Sequence, residues 1–115
     1  MPSPLPAASA CPVDLDHLRR MTLGDQALER EVLGMFLKQS GRVLDQLAEM
    51  SSEASALAHT LKGSARAIGA FRVADSAAAV EDAVRKGGDL ASPLGALADA
   101  VAQARGAIEA HLTRS

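Results

Sequence analysis

Histidine, lysine and glycine fall close together in Ala58-His59-Thr60-Leu61-Lys62-Gly63-Ser64-Ala65-Arg66-Ala67-Ile68-Gly69, and their spacing suits nucleophilic group transfer. A neutral imidazole offers a ring nitrogen as nucleophile, and with an ordinary histidine pKa of about 6.5 it needs no activating base near neutral pH. Wound at about 100° per residue, the stretch puts Leu57, Leu61, Ser64 and Ile68 on one side with Ala65 beside them, which predicts the core face. His59, Lys62, Gly63 and Arg66 gather within about 100° on the opposite side, toward solvent.

If the imidazole accepts a phosphoryl group, each neighbour has a task. Lys62, one turn on, offsets the charge of that group. Gly63, four residues on, leaves the flank of the ring bare; a mid-helix glycine costs about 1 kcal/mol relative to alanine, so something large is expected to approach there. Taken singly, the residues have plainer explanations: a surface histidine, solvated cations, a glycine at a kink or a close helix crossing. Their conjunction favours the chemical explanation.

The run His59-Thr60-Leu61-Lys62-Gly63-Ser64-Ala65, with Gly69 ten residues after the histidine, resembles the H-x-L-K-G-x-(A/S) signature of histidine-containing phosphotransfer (HPt) domains. The resemblance extends over roughly Val13 to Leu112, resting outside the motif on helix lengths and apolar spacing. It implies that His59 is the phosphoacceptor, that Lys62 assists and that Gly63 gives access.

The elements that must position this motif can be followed along the chain. Asp14 caps a short helix whose Leu15, Leu18 and Met21 share a face, ended by Thr22-Leu23-Gly24. His17 points away from that face and is expected to be an ordinary surface residue. Asp25 caps a long helix reaching about Met50, with an apolar arc of Leu28, Val32, Met35, Phe36, Val43 and Leu47 widened by Leu33, Leu37 and Leu44. Gln39 falls inside that arc, where an amide needs a partner or a place at the rim. If this stripe packs beside the His59 helix, Gln39 can hydrogen-bond the imidazole or a phosphoryl oxygen, and HPt domains often place a glutamine from the preceding helix there.

Ser51 and Ser52 supply cap chemistry for the His59 helix, and Gly69 suits the position just past its end. Phe71, Val73, Ala77, Val80 and Val84 mark the next helix, closed by Gly87-Gly88. Ser92-Pro93 signals the start of the last one, along which Leu94, Leu97, Val101, Ala104, Ile108 and Leu112 keep a 3-4 spacing. That stripe, broken by Gly106, is expected to serve a bundle core rather than a coiled-coil seam. His111, near the helix end, is expected at the surface, where it suits the dipole. The predicted fold is all-α: an antiparallel four-helix bundle with an additional short N-terminal helix across one end.

Composition narrows the remaining classes. The chain has 115 residues, 48% of them hydrophobic and only 2% aromatic, which suits one domain with an Ala/Leu/Val core. We expect a disordered leader over residues 1–12 and one helical domain over 13–115. A net charge of -2 argues against a nucleic-acid surface. The single cysteine, Cys11, cannot form an internal disulfide, no apolar run is long enough for a membrane span, and a cytoplasmic location is expected. Scattered Cys11, His17, His59 and His111 have no zinc spacing, inward Glu-x-x-His pairs for a di-iron bundle are missing, and neither GxxxxGK[ST] nor GxGxxG occurs. His59 also lacks the H-E-x-x-T-P context of dimerising histidine kinases.

The expected function is therefore that of a phosphorelay intermediate rather than an enzyme. His59 accepts a phosphoryl group from the aspartyl phosphate of a response-regulator receiver domain, such as that of a hybrid histidine kinase, and passes it to another. The receiver's aspartates, lysine and Mg²⁺ supply most of the catalysis, and this chain needs no cofactor or metal of its own. Gly63, Arg66, Ala67 and Ala70, with Phe36, Leu33 and Leu37, are the expected docking surface, and a monomer is expected. The alternative is a helical interaction module that is never phosphorylated, or a regulator of kinases or receivers with the same fold.

Overall fold

A computed structural model describes residues 12–49 and 52–114. Among the described residues five helices follow one another: α1 (Leu15–Met21), α2 (Gln26–Ala48), α3 (Ala54–Ile68), α4 (Phe71–Lys86) and α5 (Ala91–Arg114). The described residues contain no strand. The predicted leader lies, apart from Pro12, outside the described residues, as do Met50 and Ser51.

Local chemistry sets most of the boundaries. Asp14 and Asp25 are the caps of α1 and α2, their carboxylates accepting from the backbone N–H of His17 and Leu28 at 3.1 Å each, so each satisfies one of the orphan donors of a first turn. Gly69 and Gly87 end α3 and α4 in the left-handed region, at φ 85° and 69°. Two starts differ from expectation. The cap position of α3 is Glu53, which makes no side-chain cap bond, and α5 begins at Ala91, with Asp89 accepting from its N–H at 3.1 Å. Pro93 tolerates that earlier start because residues of the first turn have no intrahelical acceptor for their N–H groups.

The four long helices touch in a closed ring: α2 on α3, α3 on α4, α4 on α5, and α5 back on α2. Short joints make sequence neighbours antiparallel, and the result is the expected all-α bundle. Leu61, Ala65, Val73, Ala77, Val80, Leu97, Val101, Ala104 and Ile108 fill its centre. Because Leu97 and Val101 are buried inside the bundle, they are not available as an apolar seam for a coiled coil.

The inward line of α2 is narrower than its apolar arc. Leu33, Phe36, Ser40, Val43 and Leu47 are buried, in register with a buried Glu29, whereas Leu28 and Met35 are exposed. Polar partners explain the two anomalies. Arg105 of α5 donates to the Leu37 carbonyl and to Ser40 Oγ, and Glu29 Oε1 lies 2.8 Å from His111 Nε2. His111 is therefore a half-buried tie between α2 and α5, not the surface residue expected.

Helix α1 lies against α3 and fixes its C-terminal end. The Asp14 N–H donates to the Gly69 carbonyl at 2.9 Å, and a Cβ on Gly69 would stand 2.7 Å from the Asp14 carbonyl oxygen. Glycine is thus required there twice, for its positive φ and for the close approach. His17 is also drawn in: its ring meets Phe71 edge-on at 5.2 Å between centroids, its Nε2 is buried without a hydrogen-bond partner, and Phe71 itself stays partly exposed rather than joining the core.

Candidate functional site

Helix α3 packs on Ala58, Leu61, Ala65 and Ile68, and this turns His59 outward. Its side chain is 67% exposed. Gly63, Arg66 and Ala67 share the exposed face, and a Cβ built on Gly63 meets nothing within 4 Å. Among the described residues no close helix crossing therefore demands that glycine.

The ring is not left without support. Glu81 of α4 reaches across with one carboxylate oxygen 3.0 Å from His59 Nδ1 and the other 2.8 Å from Lys62 Nζ. One carboxylate thus bridges the histidine and the lysine. Glu81 and Lys62 are largely sheltered, with side chains 13% and 18% exposed, and only the imidazole of the three stands in water. The hydrogen bond from Lys62 is the main reason the Glu81 carboxyl is held below the ordinary glutamate value; partial burial opposes the shift, and the bond to His59 adds to it. The next acid of α4, Asp82, is paired with Lys86 and Arg85.

This geometry fixes the chemistry of the ring. An ionised carboxylate only accepts, so neutral His59 donates its Nδ1–H to Glu81, and its lone pair resides on Nε2. That nitrogen keeps the lone pair a nucleophile needs. Lys62 is already committed to Glu81, so its charge reaches the site through that carboxylate and not as a free ammonium.

On the other flank of α3, a groove of about 470 Å³ runs between α2 and α3, lined by Val32, Met35, Phe36, Lys38, Gln39, Arg42, Ser64, Ala67 and Ile68. Its floor is apolar. Lys38 and Arg42 stand exposed at its edge.

Several expectations need correction. Gln39 lines the groove with Ser64 and Ala67 instead of holding the imidazole, whose partner is Glu81. Ala70 and Leu33 are completely buried and Phe36 nearly so; they belong to the core, and a docking protein reaches at most the edge of Phe36 through the groove. Leu37 is half-buried. Glu81 itself escaped the sequence reading, although it left a signal: it follows Ala74 by seven residues and Ala77 by four, so a charge occupies the inward register of α4.

Among the described residues, no group of three or more His, Cys, Asp or Glu side chains is placed to hold a metal ion, and no helix is long and apolar enough to cross a membrane. The family model described as Hpt domain matches residues 31–114. Neither curated proteins nor solved structures gave a match.

Proposed function

The chain belongs to the Hpt domain family, and from that premise we propose that His59 is its phosphoacceptor, taking a phosphoryl group from the aspartyl phosphate of one receiver domain and passing it to another. Hpt domains in general serve histidine phosphotransfer in two-component phosphorelays and interact with response-regulator receivers. The single observation that supports the assignment to this residue is an imidazole 67% exposed, with Nδ1 engaged by Glu81 at 3.0 Å.

In the transfer, Nε2 attacks phosphorus, the N–P bond forms, and the O–P bond of the acyl phosphate breaks with its electron pair leaving on the receiver's carboxylate. Such a transition state asks mainly for alignment and charge neutralisation. The receiver, with its own Mg²⁺, supplies most of both, and this chain contributes the oriented nucleophile and no cofactor. Gly63 and Ala67 give the receiver a surface without projecting side chains beside the ring, and the α2–α3 groove takes an apolar side of the partner next to Lys38 and Arg42. The protein acts as a monomeric, cytoplasmic carrier rather than an enzyme.

Incubation with a phosphorylated receiver, followed by assay of acid-labile phosphate on this chain, tests the assignment. Label is expected on the wild type and absent from His59→Gln. Label that persists in the variant overturns it.

A further inference from the structure

We propose that the groove between α2 and α3 is a binding site for a small amphipathic anion, an acyl or aryl carboxylate. Its occupation, on the phosphotransfer reading above, keeps a receiver off the His59 face and so slows transfer.

At about 470 Å³ the groove falls within the roughly 300–1,000 Å³ of ordinary small-molecule sites. Phe36 and Ile68, both residues of the core, give it an apolar floor. Met35 lines it as well and is 62% exposed, and an unbranched thioether adapts to guests of different shape. An apolar tail laid on these three side chains leaves water and covers surface that the bundle itself does not cover. Ala67 lines the groove and also shares the exposed face of α3 with His59 and Gly63. A guest seated there occupies the place that the apolar side of a docking receiver would take.

The polar groups select the head of such a guest. Gln39 and Ser64 are half-buried on the two facing helices and both line the groove. Neither side chain has a hydrogen-bond partner among the described residues, so an amide and a hydroxyl keep donors for a ligand at an otherwise apolar surface. Lys38 and Arg42, one turn apart on the edge, form no ion pair among the described residues. The groove has no acidic lining residue; Glu31 and Asp45, acids of the same helix, are exposed outside it. Two uncompensated positive charges thus stand together in a chain whose net charge is -2. A carboxylate gains from both cations and both donors, whereas a neutral head gains only hydrogen bonds and a cationic head is repelled.

Titration of the isotope-labelled protein with octanoate, and with octanol as its neutral match, tests the site by NMR. Saturable shifts are expected at Val32, Met35, Ala67 and Ile68, with octanoate held at least about fivefold more tightly than octanol. In the double variant Lys38→Gln, Arg42→Gln that preference is expected to vanish while octanol still binds. Shifts that do not saturate, shifts spread over the whole bundle, or equal affinity for acid and alcohol in the wild type overturn the site. In a second arm, octanoate is expected to slow transfer from a phosphorylated receiver in proportion to the occupied fraction. Labelling by phosphoramidate, a small donor that loses ammonia and needs no docking surface, is expected to stay unchanged. Transfer unaffected by a saturated groove overturns the competitive role. A receiver that loads nothing onto the protein even without octanoate, or that labels His59→Gln equally, overturns the phosphotransfer reading and leaves the binding site standing.

Discussion

Glu29 and His111, 82 positions apart in the chain, meet at 2.8 Å where the start of α2 lies against the end of α5. Both side chains are mostly shielded, and next to them Arg30 donates to the Leu112 carbonyl at 3.3 Å. This tie closes the ring of helices where α5 would otherwise fray. Replacing His111 with Ala leaves the Glu29 carboxylate shielded and without this partner, so a loss of about 1–3 kcal/mol is expected. Urea denaturation checks it; a loss below about 0.5 kcal/mol would mean that the pair behaves as a solvated one.

Gly63 separates access from folding. Because an added Cβ there meets nothing within 4 Å, Gly63→Ala is expected to stabilise the isolated protein by about 0.5–1 kcal/mol through helix propensity. Gly63→Leu should also remain folded, yet transfer from a phosphorylated receiver is expected to fall by about tenfold or more while labelling by phosphoramidate is largely retained. Parallel thermal melts and transfer rates decide this; equal loss of fold and transfer would make Gly63 a packing residue.

Gly69 should behave in the opposite way. Alanine there must adopt a φ of 85° and press against the Asp14 carbonyl, so Gly69→Ala is expected to cost about 2–3 kcal/mol. The midpoint of chemical denaturation reports it.

Acid should act through Glu81. Its folded-state value lies below the ordinary carboxyl value of 4.5, so its contribution to stability is complete above that value and is lost as pH falls through the lowered folded one. Glu81→Gln is expected to flatten this part of the stability curve on the acid side of the ordinary glutamate value, as measured by denaturation at each pH.

Charge at the groove should tune partner choice. Reversing Lys38 and Arg42 to Glu is expected to slow transfer from an acidic-faced receiver and to weaken its salt dependence, with phosphoramidate labelling unchanged. Stopped-flow transfer rates at several ionic strengths measure both effects.

Much of this architecture was legible because it is written at short range. Asp14, Asp25, Gly69 and Gly87 announce helix ends within one turn of where they act, and the 3-4 spacing of α5 specifies its inner face. The site was legible where one helix determines it: His59, Gly63, Arg66 and Ala67 share a face for reasons internal to α3. Glu81 required knowing which side of α3 lies against α4. The apolar arc of α2 is too wide to show which edge faces inward, so by sequence alone Leu33 and Phe36 read as docking surface, whereas both are buried. The charged Glu29 and Glu81, both on inward registers, were the available clues, each resolved only by a partner on another helix.

The bare outer strip of α3, where Gly63 and Ala67 project little or nothing beside the ring, has an evolutionary side. If a receiver lands on this strip as proposed, it meets little there to recognise, and insulation from cross-talk has to come from the margins. One or two substitutions at those margins would then let a lineage rewire which signal enters, while the ring and its support stay as they are.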